Sequence, residues 1–276
     1  MPRPLVSLLS DFGQRDPSAA IMRGVVLGIA PDAEVLDISH EVRKYRIRDG
    51  ALLLWCALPF LPVGIHVAVV DPGVGTARRP VAIRVGRGDV LVGPDNGLLP
   101  MAADRLGGAT AAVELTEPAY RLARVSTSFH GRDIFAPAAA HLAAGLRLEQ
   151  LGPPVEPTSL VRLPIPEPVV ADGRLDAHAL YVDTFGNVKL TALVRDLVDA
   201  CGPLAAGDRL AVELGAEARA VVIAWRATFA EARVGEPLVY EDSYGRLCLA
   251  VNQGDAATTL GLVEDLPVTL RRAEPS

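Results

Sequence analysis

Leu5-Val6-Ser7-Leu8-Leu9-Ser10-Asp11-Phe12-Gly13 is a short apolar run that breaks into a polar turn, the pattern of a buried strand delivering polar side chains at its carboxyl end. Downstream, Ile21, Val25 and Ile29 recur at four-residue intervals, and Met22 and Val26 widen the stripe, which predicts a helix over residues 19–29. Pro31-Asp32 stops that helix, and residues 34–38 read as the next strand, completing a βαβ unit. A second unit follows, with a helix near residues 47–58 and a strand over 65–70 that places Asp71 at its carboxyl end. Residues 81–85 and 90–93 form a hairpin-like pair leading into Pro94-Asp95-Asn96-Gly97. This alternation predicts an α/β N-terminal domain with a mainly parallel sheet, whose ligands gather outside the carboxyl ends of the strands. Ser10, Asp11 and Asp71 belong to that edge.

The chain has 276 residues, more than one typical domain needs. From Gly152 to Gly173 it carries Pro153, Pro154, Pro157, Pro164, Pro166 and Pro168, a density that no helix or central strand tolerates. The boundary is placed there, giving domains at 1–163 and 164–276. Beyond it, residues 177–183, 209–214, 220–225, 237–240 and 247–251 read as strands separated by Gly, Asp and Asn turns, so the C-terminal domain is mostly β.

Half of the residues are hydrophobic and 22% are charged, a globular composition. The formal charge of -6 argues against a nucleic-acid partner, which calls for clustered Lys and Arg. Cys56, Cys201 and Cys248 are dispersed and odd in number, which fits thiols in a reducing compartment rather than zinc or redox work. Residues 1–10 are too short for a signal peptide's apolar region, and Asp11 and Arg15 interrupt them. The longest apolar run, residues 51–70, contains Pro59, Pro62, Gly64 and His66 and reads as helix then strand, not as a membrane span. These features point to a cytoplasmic protein with no membrane partner.

Two segments carry candidate chemistry. In Val69-Val70-Asp71-Pro72-Gly73-Val74-Gly75-Thr76-Ala77-Arg78-Arg79 a strand opens into a glycine-bearing loop with a carboxylate at its mouth and guanidiniums at its far side. A dinucleotide fingerprint fails, since Arg78 stands where its third glycine belongs. Alone, the loop is equally a surface turn closed by an ion pair. The second segment, Ser126-Thr127-Ser128-Phe129-His130-Gly131-Arg132-Asp133-Ile134-Phe135-Ala136-Pro137, sets a histidine just before an Ala-rich helix. His40, His66, His141 and His178 read as structural, and Arg132 and Asp133 as a local pair or cap. Ser10-Asp11-Phe12-Gly13 with Asp16, Asp183-Thr184-Phe185-Gly186-Asn187 and Asp242-Ser243-Tyr244-Gly245 read either as Asx-type turns or as parts of a nucleoside site. In the second reading Asp11 accepts from ribose hydroxyls, Phe185 offers a flat face and Asn187 reads a purine edge.

Taken in order, these segments resemble the S-adenosylmethionine hydrolase family, also called S-adenosylmethionine hydroxide adenosyltransferases, relatives of the fluorinase and chlorinase. The resemblance covers essentially the whole chain and is carried by Val70–Thr76 with Arg78 and by Phe129–Pro137. Pro94-Asp95-Asn96-Gly97-Leu98-Leu99, residues 183–187 and Asn252-Gln253-Gly254 support it. It implies a β-barrel-like C-terminal domain and a homotrimer, with sites between one subunit's N-terminal domain and its neighbour's C-terminal domain. It also implies Asp71, Arg78 and His130 as the hydrolytic set, the family's spacing selecting Arg78 over Arg79. The ribose carboxylate falls on Asp11, adenine contacts on Phe185 and Asn187, and an aromatic neighbour of the nucleoside on Tyr45. Asp16, Asp183 and Ser243 match positions around the methionine portion, while Tyr244 departs from the arginine that the fluorinase has there.

The implied activity is hydrolysis of S-adenosylmethionine to adenosine and methionine by water attacking the ribose C5′, with no cofactor and no metal. A sulfonium leaves as a neutral thioether, so the site's task is to deliver a water in line. The rival is a halide-using relative. Fluorinase-like chains have small and hydroxyl residues where Asp71 and Arg78 stand here, and they insert a loop at the position of Arg87-Gly88-Asp89. A carboxylate at the site would repel a halide. A non-catalytic nucleoside-binding module needs no such Asp, Arg and His set, and a Rossmann oxidoreductase would hold nicotinamide.

Overall fold

A computed structural model describes residues 3–215, 217 and 219–274. Met1 and Pro2, at the head of the stretch judged too short for a signal peptide, lie outside the described residues. Tertiary contacts divide the chain into two compact units, 1–163 and 164–276.

In the first unit, β1 (Leu5–Ser10), α1 (Ser18–Ile29), β2 (Glu34–Ser39), α2 (Ile47–Ala57) and β3 (Ile65–Val69) form two successive βα units. The chain continues through β4 (Pro80–Val85), β5 (Val90–Pro94), α3 (Pro100–Arg105), β6 (Ala109–Glu114) and α4 (Ala136–Ala143). The six described strands are ordered β2-β1-β3-β5-β4-β6. β1 runs parallel to β2 and β3, and β3 parallel to β5, while β4 pairs antiparallel with β5 and β6. Val6, Leu8, Val67 and Val92 join Met22, Val26 and the alanines of α4 in one core layer, and Leu9, Ala68, Val70 and Leu91 join Leu54 of α2 and Ala102 of α3 in the other. Both faces of the central strands are therefore mostly apolar, as burial under helices on each side requires, with Ser7 of β1 and His66 of β3 among the buried polar residues.

The helix expected at residues 19–29 forms, but its buried stripe is Ala19, Met22 and Val26. Of the rest of the expected apolar face, Val25 and Ile29 pack partly buried against the core, and Ile21 is 37% exposed. Met22 and Val26 centre the stripe because they lie one residue further round the helix, toward α4 and the turn that precedes it.

In the second unit, β7 (Val169–Ala171), β8 (Arg174–Val182), β9 (Val188–Leu193), α5 (Val194–Cys201), β10 (Arg209–Leu214), β11 (Arg219–Trp225), β12 (Pro237–Glu241), β13 (Arg246–Val251), α6 (Ala256–Leu260) and β14 (Pro267–Arg272) follow in order. The sheet runs β14-β10-β11-β12-β13-β9-β8-β7, and β14 also pairs with β8, which closes a barrel with β7 as an appendage. Pairing is antiparallel except between β11 and β12. Closure removes the free edges that an open sheet would expose. Leu175, Val188, Leu190, Leu210, Val212, Leu247 and Leu249 fill the interior. No helix among the described residues is long and apolar enough to cross a membrane.

Candidate functional site

β1 and β3 are adjacent parallel strands, so the loops at their carboxyl ends meet. A cleft of about 240 Å³ opens there, lined by Asp11, Phe12, Lys44, Tyr45, Val69, Asp71, Val74, Ser128, Phe129, His130 and Gly131. The Asp11 carboxylate is buried and accepts the Tyr45 backbone N–H at 2.9 Å, and Lys44 Nζ donates to the Asp11 carbonyl. Tyr45 adopts φ +64°, a sparsely populated conformation for a bulky residue, and its side chain is 71% exposed at the cleft. Ser10 backs this corner: its hydroxyl accepts the Phe12 N–H at 3.2 Å and lies 2.7 Å from His40 Nδ1. Asp16 is exposed in the loop before α1 and does not line the cleft.

Asp71 and Arg78 face each other across the loop that leaves β3. Arg78 Nε lies 3.0 Å from each Asp71 carboxylate oxygen, and Nη2 donates to Oδ2. The same Nη2 reaches His130 Nδ1 at 2.9 Å. The pair is shielded, with side-chain exposures of 9% for Arg78 and 4% for Asp71, and Phe135 stacks 5.2 Å from the guanidinium carbon. A guanidinium only donates, so His130 Nδ1 is the acceptor and the neutral ring keeps its proton on Nε2. Burial first, then the Arg78 charge, lowers the His130 pKa below its ordinary value; Asp71 opposes this. The imidazole is thus neutral at neutral pH. Arg79 points elsewhere, to Asp95 at 2.6 Å.

His130 stands at the head of a wide π-type turn, Gly131–Phe135, that runs directly into α4. Such turns recur at functional sites. The turn is fixed by Asp133, fully buried, which accepts from the Ser126 N–H at 2.8 Å and hydroxyl at 2.7 Å and pairs with Arg132 at 2.6 Å. Arg132 and Asp133 are therefore the local pair expected. Phe12 and Phe129 pack edge to face at 5.5 Å and give the cleft an apolar wall.

The second unit carries its own cleft, about 1020 Å³, lined by Asp183, Phe185, Asn187, Lys189, Phe229, Tyr240, Asp242, Ser243, Tyr244 and neighbouring residues. Asp183 Oδ1 accepts the backbone N–H of Phe185 and of Asn187, each at 2.9 Å, and Oδ2 accepts Asn187 Nδ2 at 2.9 Å. Asp183 therefore shapes the turn and fixes the Asn187 amide, as the Asx-turn reading of this segment expected. Phe185 is 77% exposed. Asp242 accepts the Tyr244 N–H at 2.8 Å and pairs with Lys189, whose Nζ lies 5.2 Å from the Tyr244 ring centre. Ser243 is exposed at the rim. Burial raises the pKa of the Tyr240 phenol and of the Cys248 thiol, which keeps both protonated.

Sequence reasoning missed Lys44 and Lys189 as lining residues. Lys189 lies inside a strand, where alternation alone gives no reason to expect a charged residue at a cleft. Lys44 had a signal, its adjacency to Tyr45. Among the described residues no cluster of three or more His, Cys, Asp or Glu is disposed to hold a metal ion.

Residues 6–152 match the SAM hydroxide adenosyltransferase N-terminal domain, and residues 177–269 match its C-terminal domain. The chain is 47% identical over 259 residues to the (R)-S-adenosyl-L-methionine hydrolase of Salinispora arenicola (strain CNS-205), covering 94% of each chain. It is 42% identical over 273 residues to the (R)-S-adenosyl-L-methionine hydrolase of Thermus thermophilus, covering 96% of this chain and 98% of that one. A fluorinase of Actinopolyspora mzabensis is 30% identical over 297 residues, covering 98% of each. The solved structure of an uncharacterized conserved protein from Thermotoga maritima superposes with a TM-score of 0.90 at 32% identity, covering 97% of this chain and 100% of that one. With both domains matched in order and relatives aligned nearly end to end, the chain belongs to the SAM hydroxide adenosyltransferase family.

Proposed function

We propose that this protein hydrolyses S-adenosyl-L-methionine to adenosine and L-methionine. The relatives of that name at 47% and 42% identity support it, against 30% for the fluorinase. The observation that carries the reading at this chain's own residues is the unbroken contact from Asp71 through Arg78 to His130, beside a cleft that also holds the Asp11 carboxylate.

In this reading the oxygen of a water forms a bond to the ribose C5′ as the C5′–sulfur bond breaks, and the departing electron pair neutralises the sulfonium. The water's proton passes to the Asp71 carboxylate and on to solvent. Arg78 spends Nε and Nη2 on Asp71 and His130, and Nη1 makes no hydrogen bond among the described residues, so it is the donor left for the nucleophilic oxygen. A guanidinium there favours hydroxide character. His130 accepts from Arg78 and holds its plane. Asp11 receives the ribose hydroxyls, with Phe12, Phe129 and Tyr45 around the nucleoside.

The first cleft falls below the ~300–1,000 Å³ of most small-molecule sites, which fits a half-site. We infer a homotrimer in which the barrel cleft of a second copy, with Asn187 and Phe185, completes it for adenine, and Asp183, Ser243 and Tyr244 lie toward the amino-acid end. Exposed aromatics at both clefts, Tyr45 and Phe185, support the need for such cover. Three free cysteines, two of them buried, fit a cytoplasmic location. Chromatography of purified protein with S-adenosylmethionine tests the activity: adenosine and methionine in equal amounts are expected. Unchanged ligand in a stable complex, or a chloride-dependent 5′-halogenated product, would overturn it.

A further inference from the structure

The loop bearing both Asp71 and Arg78 is gripped at its two ends by consecutive residues of a single turn. Asn96 Nδ2 donates to the Val70 carbonyl at 2.9 Å, on the peptide bond that leads into Asp71, while Asn96 Oδ1 accepts the Leu98 N–H at 3.2 Å. At the other end Asp95 Oδ2 accepts from Arg79 Nε at 2.9 Å and Nη2 at 2.6 Å, immediately after Arg78. The Asp95 backbone N–H donates to the Arg79 carbonyl at 2.9 Å, so Arg79 is held by main chain and side chain alike. Asp95 is itself fixed, its Oδ1 accepting the Val161 N–H at 2.8 Å, and its side chain is 3% exposed.

Between these grips the loop is wound by its own bonds, Val74 N–H to the Asp71 carbonyl and Thr76 N–H to the Gly73 carbonyl, both at 3.2 Å. Gly75, at φ +78°, comes so near the loop carrying His130 that a Cβ there would lie 2.4 Å from the Thr127 carbonyl oxygen. The three reactive groups thus sit on two loops pressed together, one of them anchored at both ends. Neither Asp95 nor Asn96 lines the cleft.

We propose that Asp95 and Asn96 are positioning residues for hydrolysis: by holding Val70 and Arg79 they set the spacing at which Arg78 meets both Asp71 and His130. The proposal rests on the hydrolase reading. Its chemistry is geometric, since hydrogen bonds near 3 Å weaken steeply with displacement and misplacing a reacting group by ~1 Å costs up to ~100-fold in rate.

The test uses full-length Asn96→Asp, which keeps the acceptor for Leu98 but removes the donor to Val70, and Asp95→Asn, which removes the charge facing Arg79. Asn96→Ser is the milder substitute should either fail to fold. Expected is a fall in kcat of ~10–100-fold with KM within about threefold of wild type. Expected as well is a displaced ¹⁵N resonance of His130 Nδ1, which reports the Arg78 hydrogen bond without turnover. Folded variants with kcat within about threefold of wild type and an unmoved His130 resonance would overturn the clamp, as would a rise in KM alone. Wild-type protein run in parallel separates the two ideas: if it forms no adenosine, the hydrolase reading fails, and the His130 resonance alone decides the clamp.

Discussion

At the residue scale, the role proposed for His130 carries a pH dependence. Its Nδ1 accepts from Arg78 only while the ring is neutral, and burial followed by the Arg78 charge lowers its pKa. Protonation would set two cations against each other, so kcat is expected to hold near neutral pH. It should fall on the acid side with an apparent pKa below the ordinary imidazole value of ~6.5. A pH–rate profile checks this, and an acid limb centred above that value contradicts it. That the structure brings Asp71 and His130 together was foreshadowed by their places at a strand end and a helix start, each beside glycine or polar neighbours. The choice between Arg78 and Arg79 was legible only from family spacing; in space Arg79 turns to Asp95 and Arg78 to Asp71. The tautomer of His130 was not legible at all, since it follows from which atom Arg78 reaches.

At the element scale, β1 and β3 are tied to the β4–β5 hairpin by a buried polar chain. Ser7 Oγ lies 2.7 Å from His66 Nδ1, His66 Nε2 lies 2.9 Å from Asp89 Oδ1, and Asp89 also accepts from Arg87 and the Gly64 N–H. Burial pushes the Asp89 carboxyl up, but bonds to His66 and Arg87 outweigh it and hold the group well below the ordinary carboxylate range. A depressed carboxyl pKa contributes stability above the unfolded-state value of ~3.9 and loses it as pH falls below that. Asp89→Asn should therefore destabilise the fold by about 3 kcal/mol at neutral pH, with the gap to wild type narrowing below about pH 4. Urea unfolding of both proteins across pH measures it, and a gap independent of pH would contradict the assignment. The buried apolar strands β1 and β3 were readable because each runs out at an aspartate, Asp11 and Asp71. β6 was not, its Ala-rich Ala109–Glu114 having little strand propensity. β9 runs into α5 with no Gly or Pro between, and the start of that helix is marked only by Asp196, which accepts the Leu193 N–H at 2.8 Å.

At the scale of the whole molecule, the mostly β character of the second unit was readable from its turn-punctuated strands. Barrel closure was not readable from the strands themselves, because β14 escaped the pattern and its pairing with β8 joins residues some ninety positions apart. Only the family resemblance implied it. If different copies supply the two clefts, Asp71→Asn and Asn187→Ala proteins should each be nearly inactive alone. After unfolding and refolding as a mixture they should regain on the order of a quarter of wild-type activity, since random assortment pairs intact clefts at that frequency. No recovery would place both halves of the site within one chain. The central claim, that solvent oxygen attacks the ribose carbon, is tested most directly by turnover in ¹⁸O-water with mass spectrometry of the nucleoside. One ¹⁸O in the 5′-hydroxyl of adenosine and none in methionine is the expected result; unlabelled adenosine, or a product with chlorine at C5′, would contradict it.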